Sequence, residues 1–305
     1  MDTLKCISNV FRSADVIPID DNSKLILMSD VHRGDGSWAD DLYRNENVYY
    51  AALTHYFNEG YTYIELGDGD ELWKNKKMAE IVPVHLKTFK LLTQFYHSGR
   101  LYFIYGNHDM VKSHPNFVQK NMVQYVDEHS QKITPLFENI KIHEGLVLNH
   151  TRLEQKIFLI HGHQASNLDY DFWALRRWLV RYVWKHLESL GFNDPTSTAI
   201  NYRKKVSIEE KLTEWTILEK QMLIAGHTHR PMFPQVGEPP YFNDGSCVHP
   251  YSITGIEIAD SKLTLVKWEI NTRTDGTLFI DREVLAGPQR LKDYFDSLYK
   301  SQLND

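Results

Sequence analysis

The stretch LYFIYGNHDM, residues 101–110, joins two readings in ten residues. Its first half is a run of apolar and aromatic side chains of the length of a buried strand. Its second half turns at Gly106 and then presents an amide, an imidazole and a carboxylate in succession: Asn107, His108 and Asp109. Four other places repeat this design. KLILM runs into SDVHRG (29–34), YTYIEL into GDGDELW (67–73), IFLI into HGH (161–163), and MLIA into GHTHRP (226–231). Helical patterns over residues 45–59, 84–97 and 115–129 alternate with the first strands, which predicts a layered α/β core.

Taken singly, Asp30-Val-His32 or Gly67-Asp68 is an ordinary strand-to-loop turn. Five such blocks, each at the end of a strand, supply carboxylate, imidazole and amide oxygen together. A fold gathers that set when it holds metal ions. Hydrolysis of a phosphate ester calls for such ions, because an anionic nucleophile must approach an already anionic phosphorus. Carboxylates lower the net charge of a cation pair and can bridge it, neutral imidazoles add directional bonds, and an Asn oxygen leaves the cation Lewis-acidic.

The ordered blocks D-x-H, G-D, G-N-H-D, H-G-H and G-H-x-H resemble the signature of the calcineurin-like metallophosphoesterase superfamily. The resemblance implies a four-layer α/β-β-α sandwich and two divalent metal ions. Asp30, His32, Asp68 and His229 are implied to hold one ion, with Asp68 bridging, while Asn107, His161 and His227 complete the second site. His108 is implied to face the phosphate, oriented by Asp109, as a catalytic pair that assists the leaving oxygen. A metal-bridged hydroxide is the implied nucleophile. His163 stays outside the metal set, as a second-layer or substrate contact. The ligand chemistry suits Mn or Fe first, with Zn, Co or Ni also compatible.

A narrower resemblance lies in LGDGDELW, which is similar to the G-D-x-x-E-x-W stretch of UDP-2,3-diacylglucosamine hydrolases. Those enzymes also carry a helical insertion after the H-G-x block and cleave a nucleotide-sugar pyrophosphate. This chain departs from them at GNHD, where they have GNRD, and at HGH, where they have HGD. What carries over is the class of bond, a phosphodiester or pyrophosphate of a nucleotide-sugar or other nucleotide-type substrate. A phosphomonoesterase or Ser/Thr protein phosphatase is the alternative, and a non-catalytic metal-binding scaffold a further one.

Residues 168–221 form the expected helical insertion between HGH and GHTH, read as two helices over 169–190 and 208–221. In the first, Arg177, Arg181 and Lys185 recur at helical spacing beside an apolar stripe. One reading is a core-facing helix with a solvated side. The other is a cap whose Arg177 and Arg181 meet substrate phosphates. Past the last motif, alternating patterns over 241–247, 251–259, 262–270 and 277–284 predict antiparallel strands, and residues 288–303 a closing helix.

With 305 residues, 42% of them hydrophobic, the chain reads as one domain spanning 1–305. A net charge of −6 argues against a nucleic-acid enzyme with a broad basic face, so a small phosphate ester or pyrophosphate is the expected partner. Two cysteines make no disulfide framework, the N-terminus lacks a signal-peptide pattern, and no apolar run is long enough to span a bilayer. The expectation is a cytoplasmic protein, with peripheral membrane contact by the Trp-rich helix left open.

Overall fold

The computed structural model describes residues 3–37, 40–126, 131–166 and 198–300. The chain runs through α1 (Thr3–Ser13), β1 (Asp15–Ile19), β2 (Leu25–Met28), α2 (Glu46–Asn58), β3 (Thr62–Leu66), α3 (Met78–Ile81), α4 (Leu86–His97) and β4 (Leu101–Ile104). It continues with α5 (Pro115–Asn121), β5 (Gln124–Val126), β6 (Ile133–Pro135), β7 (Ile142–His143), β8 (Gly145–His150) and β9 (Gln155–Ile160). Beyond the insertion come α6 (Thr198–Glu219), β10 (Met222–Ala225), β11 (Tyr241–Asn243), β12 (Ser252–Ala259), β13 (Lys262–Thr272), β14 (Leu278–Arg290) and α7 (Leu291–Lys300).

Two sheets divide the motif strands between them. One has the order β14-β13-β12-β2-β3-β4-β7, with β2, β3, β4 and β7 parallel; the other has the order β1-β8-β9-β10-β11. Successive side chains of a strand point to opposite faces, and that alternation builds the layers. Leu25, Leu27, Ile64 and Leu66 meet Leu146, Leu148, Ile157, Leu159 and Ile224 in an apolar core between the sheets. Their neighbours Ile26, Met28 and Tyr63 face the other way, onto Tyr49, Leu53 and Tyr56 of α2 and Leu92 and Phe95 of α4. On the far side Phe158, Ile160, Leu223 and Ala225 pack against Ile7 and Val10 of α1 and Ile208, Leu212 and Trp215 of α6. Helix, sheet, sheet and helix give the expected four-layer α/β-β-α sandwich.

Several expectations need correction. The helix over 115–129 stops at Asn121; Gln124–Val126 then alternates exposed, buried, exposed and pairs with β6. Residues 241–247 do not join the antiparallel set, because Tyr241–Asn243 pairs parallel with β10 in the smaller sheet. The long connection over 226–240 permits this, since parallel neighbours need a crossover rather than a hairpin. The antiparallel strands β12, β13 and β14 extend the β2 sheet instead of forming the second one. β14 runs to Arg290 through Pro288, as an edge strand can, and so shortens the closing helix to α7. The second insertion helix begins at Thr198, earlier than expected, whereas residues 169–190 lie outside the described residues.

Trp215 anchors α6 to its sheet: its ring packs 5.2 Å from Phe158 and 5.5 Å from Phe11, and its Nε1 donates to Ser8 Oγ at 3.0 Å. Replacing this fully buried side chain leaves a cavity. Trp215→Ala should lose about 3–5 kcal/mol of stability, read from urea unfolding curves; a loss below about 1 kcal/mol would contradict this packing.

Candidate active site

All five motif blocks begin where their strands end, at one edge of the sandwich, and the gap between the sheets there is the site. Backbone bonds tie the first two blocks: Asp30 N donates to Gly67 O at 3.1 Å and His32 N to Asp68 O at 2.9 Å. Across the sheets, His227 N donates to Asp30 Oδ2 at 2.8 Å and His161 Nδ1 donates to Leu66 O at 2.8 Å. Gly67 has φ +93, and a Cβ there would stand 2.6 Å from the His161 ring. Gly106 leaves similar room, since its Cβ would fall 2.1 Å from Asp68 Oδ1.

Asp30, His32, Asp68, His227 and His229 all have φ between +50 and +67, the left-handed region. Asp and His enter this region more readily than most residues, though each placement still costs roughly 1 kcal/mol. Five together mark a place where surrounding contacts force the backbone, the usual signature of a functional site.

The side chains converge accordingly. Asp30, His32 and His229 each place one ligand atom within 4.8 Å of the others, as do Asp68, His161 and His227. His229 Nε2 lies 3.0 Å and His32 Nε2 3.7 Å from Asp30 Oδ1, while Asp68 Oδ2 faces His161 Nε2 at 3.2 Å and His32 Nε2 at 3.8 Å. Asp68 therefore stands between the two groups. The other carboxylate oxygens are fixed by the protein: Asp30 Oδ2 accepts from Ser29 Oγ at 2.6 Å, and Asp68 Oδ1 from the His108 N–H at 2.7 Å. Because Leu66 O can only accept, His161 carries its proton on Nδ1 and turns Nε2 to the acids.

Asn107 Oδ1 is buried and has no hydrogen-bond partner, while the buried Asp30 Oδ1 and His161 Nε2 have only the imidazole of His229 and the carboxylate of Asp68 against them. Buried polar atoms are rarely left so. Two carboxylate oxygens and several imidazole nitrogens turned to one space fit divalent cations of the kind that take mixed N and O ligands. Burial works against both charges in this site, yet the imidazoles of His229 and His161 hold Asp30 well below the usual carboxylate range. Likewise, against burial, the carboxylates of Asp68 and Asp30 push His161 up to about 9.

His108 lies beside this cluster, its ring 4.7 Å from His32 and stacked at 4.1 Å on Trp73. Its orienting partner is not Asp109. His108 Nδ1 donates to Glu71 Oε2 at 2.8 Å, and the same oxygen receives His32 Nδ1 at 3.3 Å. Asp109 is engaged elsewhere: its Oδ1 accepts from Gly106 N at 2.7 Å, its Oδ2 from Gly69 N at 3.1 Å and Lys112 Nζ at 2.6 Å. Asp109 follows His108 by one residue, so their side chains leave the turn in different directions, and the turn itself absorbs the carboxylate.

Beneath the site lies a network that sequence reasoning missed. Arg33 is wholly buried, donating through Nη1 and Nη2 to Glu65 at 2.7 and 2.8 Å and through Nε to Asp70 Oδ1 at 2.7 Å. Lys112 Nζ bridges Asp70 and Asp109 at 2.6 Å each. Burial opposes these charges, but Asp70 and Glu65 keep Arg33 protonated, and Arg33 and Lys112 hold Asp70 well below its ordinary value. The available signal was the acid and base flanking the motifs, Arg33 after His32 and Asp70-Glu71 after Asp68.

His163, expected as a second-layer or substrate contact, has a fully buried ring 5.6 Å from His161. Burial, with His161 adding to it, lowers its pKa to about 3. Arg177 and Arg181 lie outside the described residues.

The model of the calcineurin-like phosphoesterase family matches residues 23–231. The chain belongs to that family. Its members' shared chemistry is metal-dependent hydrolysis of phosphate esters, and the matched span holds all five blocks. No curated protein matches. Among solved structures, Vps29 of Chaetomium thermophilum is similar at 11% identity and a TM-score of 0.38, over 86% of this chain and 96% of that one.

Asp70→Asn would leave Arg33 and Lys112 with one carboxylate fewer in a dry site. Breaking such a buried network costs about 3–5 kcal/mol. Urea unfolding of chelator-treated protein should register that loss, and a neutral result would show the network to be dispensable.

Proposed function

We propose that this phosphoesterase hydrolyses a phosphodiester or pyrophosphate bond of a nucleotide-type substrate with two divalent ions, Mn or Fe first among them. The observation that carries the reading is the pair of inward oxygens, Asp30 Oδ1 and Asp68 Oδ2, set among His32, His161 and His229 with their other oxygens already occupied. Asp30, His32, Asp68 and His229 are assigned to one ion and Asp68, Asn107, His161 and His227 to the other. Ions held there supply neutralisation of phosphoryl oxygens and acidify water near neutral pH.

The residues of the chain do the rest. Glu71 fixes the tautomer of both His32 and His108, so each turns Nε2 toward the site. Trp73 stacks under His108 and holds its ring plane, while about a quarter of the His108 side chain stays exposed to meet a ligand. From there Nε2 can deliver a proton to a departing ester oxygen. Glu71 takes the orienting role that Asp109 does not fill.

The chain is read as a single domain with residues 168–221 as a cap. In support, the described part of that insertion leans on the last motif: Glu209 accepts from Arg230 at 3.0 Å, and Arg230 lies 5.1 Å over the Tyr202 ring. Among the described residues no helix is long and apolar enough to cross a membrane. Cys6 and Cys247 are buried and not joined in a disulfide, in keeping with a cytoplasmic, reducing setting.

Elemental analysis should find two divalent ions per chain, and Asp68→Ala should lose both. Loaded protein should turn over bis-(nitrophenyl) phosphate faster than the mono-ester; the reverse order would favour a monoesterase, and no turnover of either with full metal content would favour a scaffold. Glu71→Gln should keep its metals while kcat falls roughly ten- to a hundredfold. Unchanged kcat in that variant would remove Glu71 from the mechanism.

A further inference from the structure

We propose that Lys205 of α6 and Arg230 of the last motif form a second phosphate-binding position beside the candidate metal centre. It takes a phosphate linked to the one being cleaved, and so selects a pyrophosphate-bearing substrate over a simple phosphodiester. This deepens the phosphoesterase reading and rests on it.

The placement follows from how α6 meets its strand. Only Lys220 and Gln221 separate the end of α6 from β10, so the helix runs back along the strand and its N-terminal half lies toward the end of β10, where GHTHRP begins. Ile208, Leu212 and Trp215 are the buried stripe that packs α6 on the smaller sheet. Lys205 precedes Ile208 by about one turn on nearly the same side, at the level of the motif loop. Arg230 confirms the approach: its Nη1 donates to Glu209 Oε2 at 3.0 Å, and its guanidinium lies 5.1 Å over the Tyr202 ring. Tyr202 and Glu209 stand about two turns apart on one face of α6, with Lys205 between them. Arg230 in turn follows His229, whose Nε2 is 3.0 Å from Asp30 Oδ1. The two cations therefore border the His229 side of the cluster.

The charge balance there calls for an anion. Arg230 is answered by Glu209, yet its side chain remains 39% exposed. Lys205 is half-buried, and among the described residues no carboxylate is in ion-pair contact with its ammonium. Burial works against that charge, Asp30 for it, Arg230 against it and Glu209 for it. A partly desolvated cation beside a second cation is stabilised when an anion joins the two. A substrate whose scissile phosphorus lies at the candidate metal centre brings its substituents to this border. A simple phosphodiester brings an ester oxygen and an uncharged alcohol. A pyrophosphate brings a second charged phosphate, whose oxygens accept from an ammonium and a guanidinium together.

The test uses the full chain loaded with Mn and two adenosine substrates: the 4-nitrophenyl ester of adenosine 5′-monophosphate, with a single phosphate, and diadenosine diphosphate, with a linked pair. The parent should turn over both. Lys205→Met should lower kcat/KM for diadenosine diphosphate at least about tenfold more than for the nitrophenyl ester. Lys205→Glu should widen that gap, Lys205→Arg should close it, and Arg230→Met should repeat the Lys205→Met result. Circular dichroism melts verify folding, and a partial loss of folded protein lowers both substrates alike, so the ratio still reports the site. The assignment is overturned if the parent leaves diadenosine diphosphate uncleaved, or if Lys205→Met and Arg230→Met leave the ratio of the two substrates as in the parent. Metal content and nitrophenyl-ester turnover of the parent separate the two failures. Both intact with either of those results removes the second phosphate position alone, whereas absent metal and turnover removes the phosphoesterase reading and this assignment with it.

Discussion

The buried pairing of Arg33 with Glu65 and Asp70, carried on through Lys112 to Asp109, is the constraint on which the candidate active site depends. Its members come from the exits of β2, β3 and β4, so one set of charge-assisted bonds holds three loops in register. Charges this deep are worth their desolvation only when each finds partners, and here the geometry is bidentate at Glu65 and bridging at Lys112. With those loops fixed, Asp30 and Asp68 can stand close together around His32 without a flexible backbone letting them drift apart.

The same rigidity explains the backbone. Left-handed residues at five motif positions are tolerable because the loops have no freedom to relax: Asp30 and His32 are tied to Gly67 and Asp68, and His227 to Asp30. The strain is stored where polar atoms turn inward, and the stacked sheets on either side supply the packing that sustains it. Glu71 links this scaffold to chemistry. It lies on the loop that the network clamps, and it holds the imidazoles of both His32 and His108.

Much of this was legible in the linear chain, for identifiable reasons. Buried strands announce themselves by apolar composition, so β2, β3, β4, β9 and β10 were found nearly to the residue. Polar blocks at their ends pointed to Asp30, His32, Asp68, Asn107, His161, His227 and His229, and the fold groups Asp30 with His32 and His229, and Asp68 with His161 and His227. Where alternation and helical spacing overlap, as in residues 115–129, the boundary was misjudged. The N-terminal pair α1 and β1 passed unread, though α1 closes one layer and β1 pairs in parallel with β8.

The order of the polar blocks and the composition of the strands before them determined the fold class and the family, because side-chain chemistry and strand hydrophobicity are properties of local residues. Which sheet each strand joined, the parallel placement of β11, and the partner of His108 were decided only by the tertiary structure. Asp109 is adjacent to His108 in the chain, yet a turn points their side chains apart and the network claims the carboxylate. Glu71, 37 positions earlier, reaches the ring because β3 and β4 lie side by side. Contacts across a sheet depend on register and neighbour order, and no spacing along the polymer encodes them.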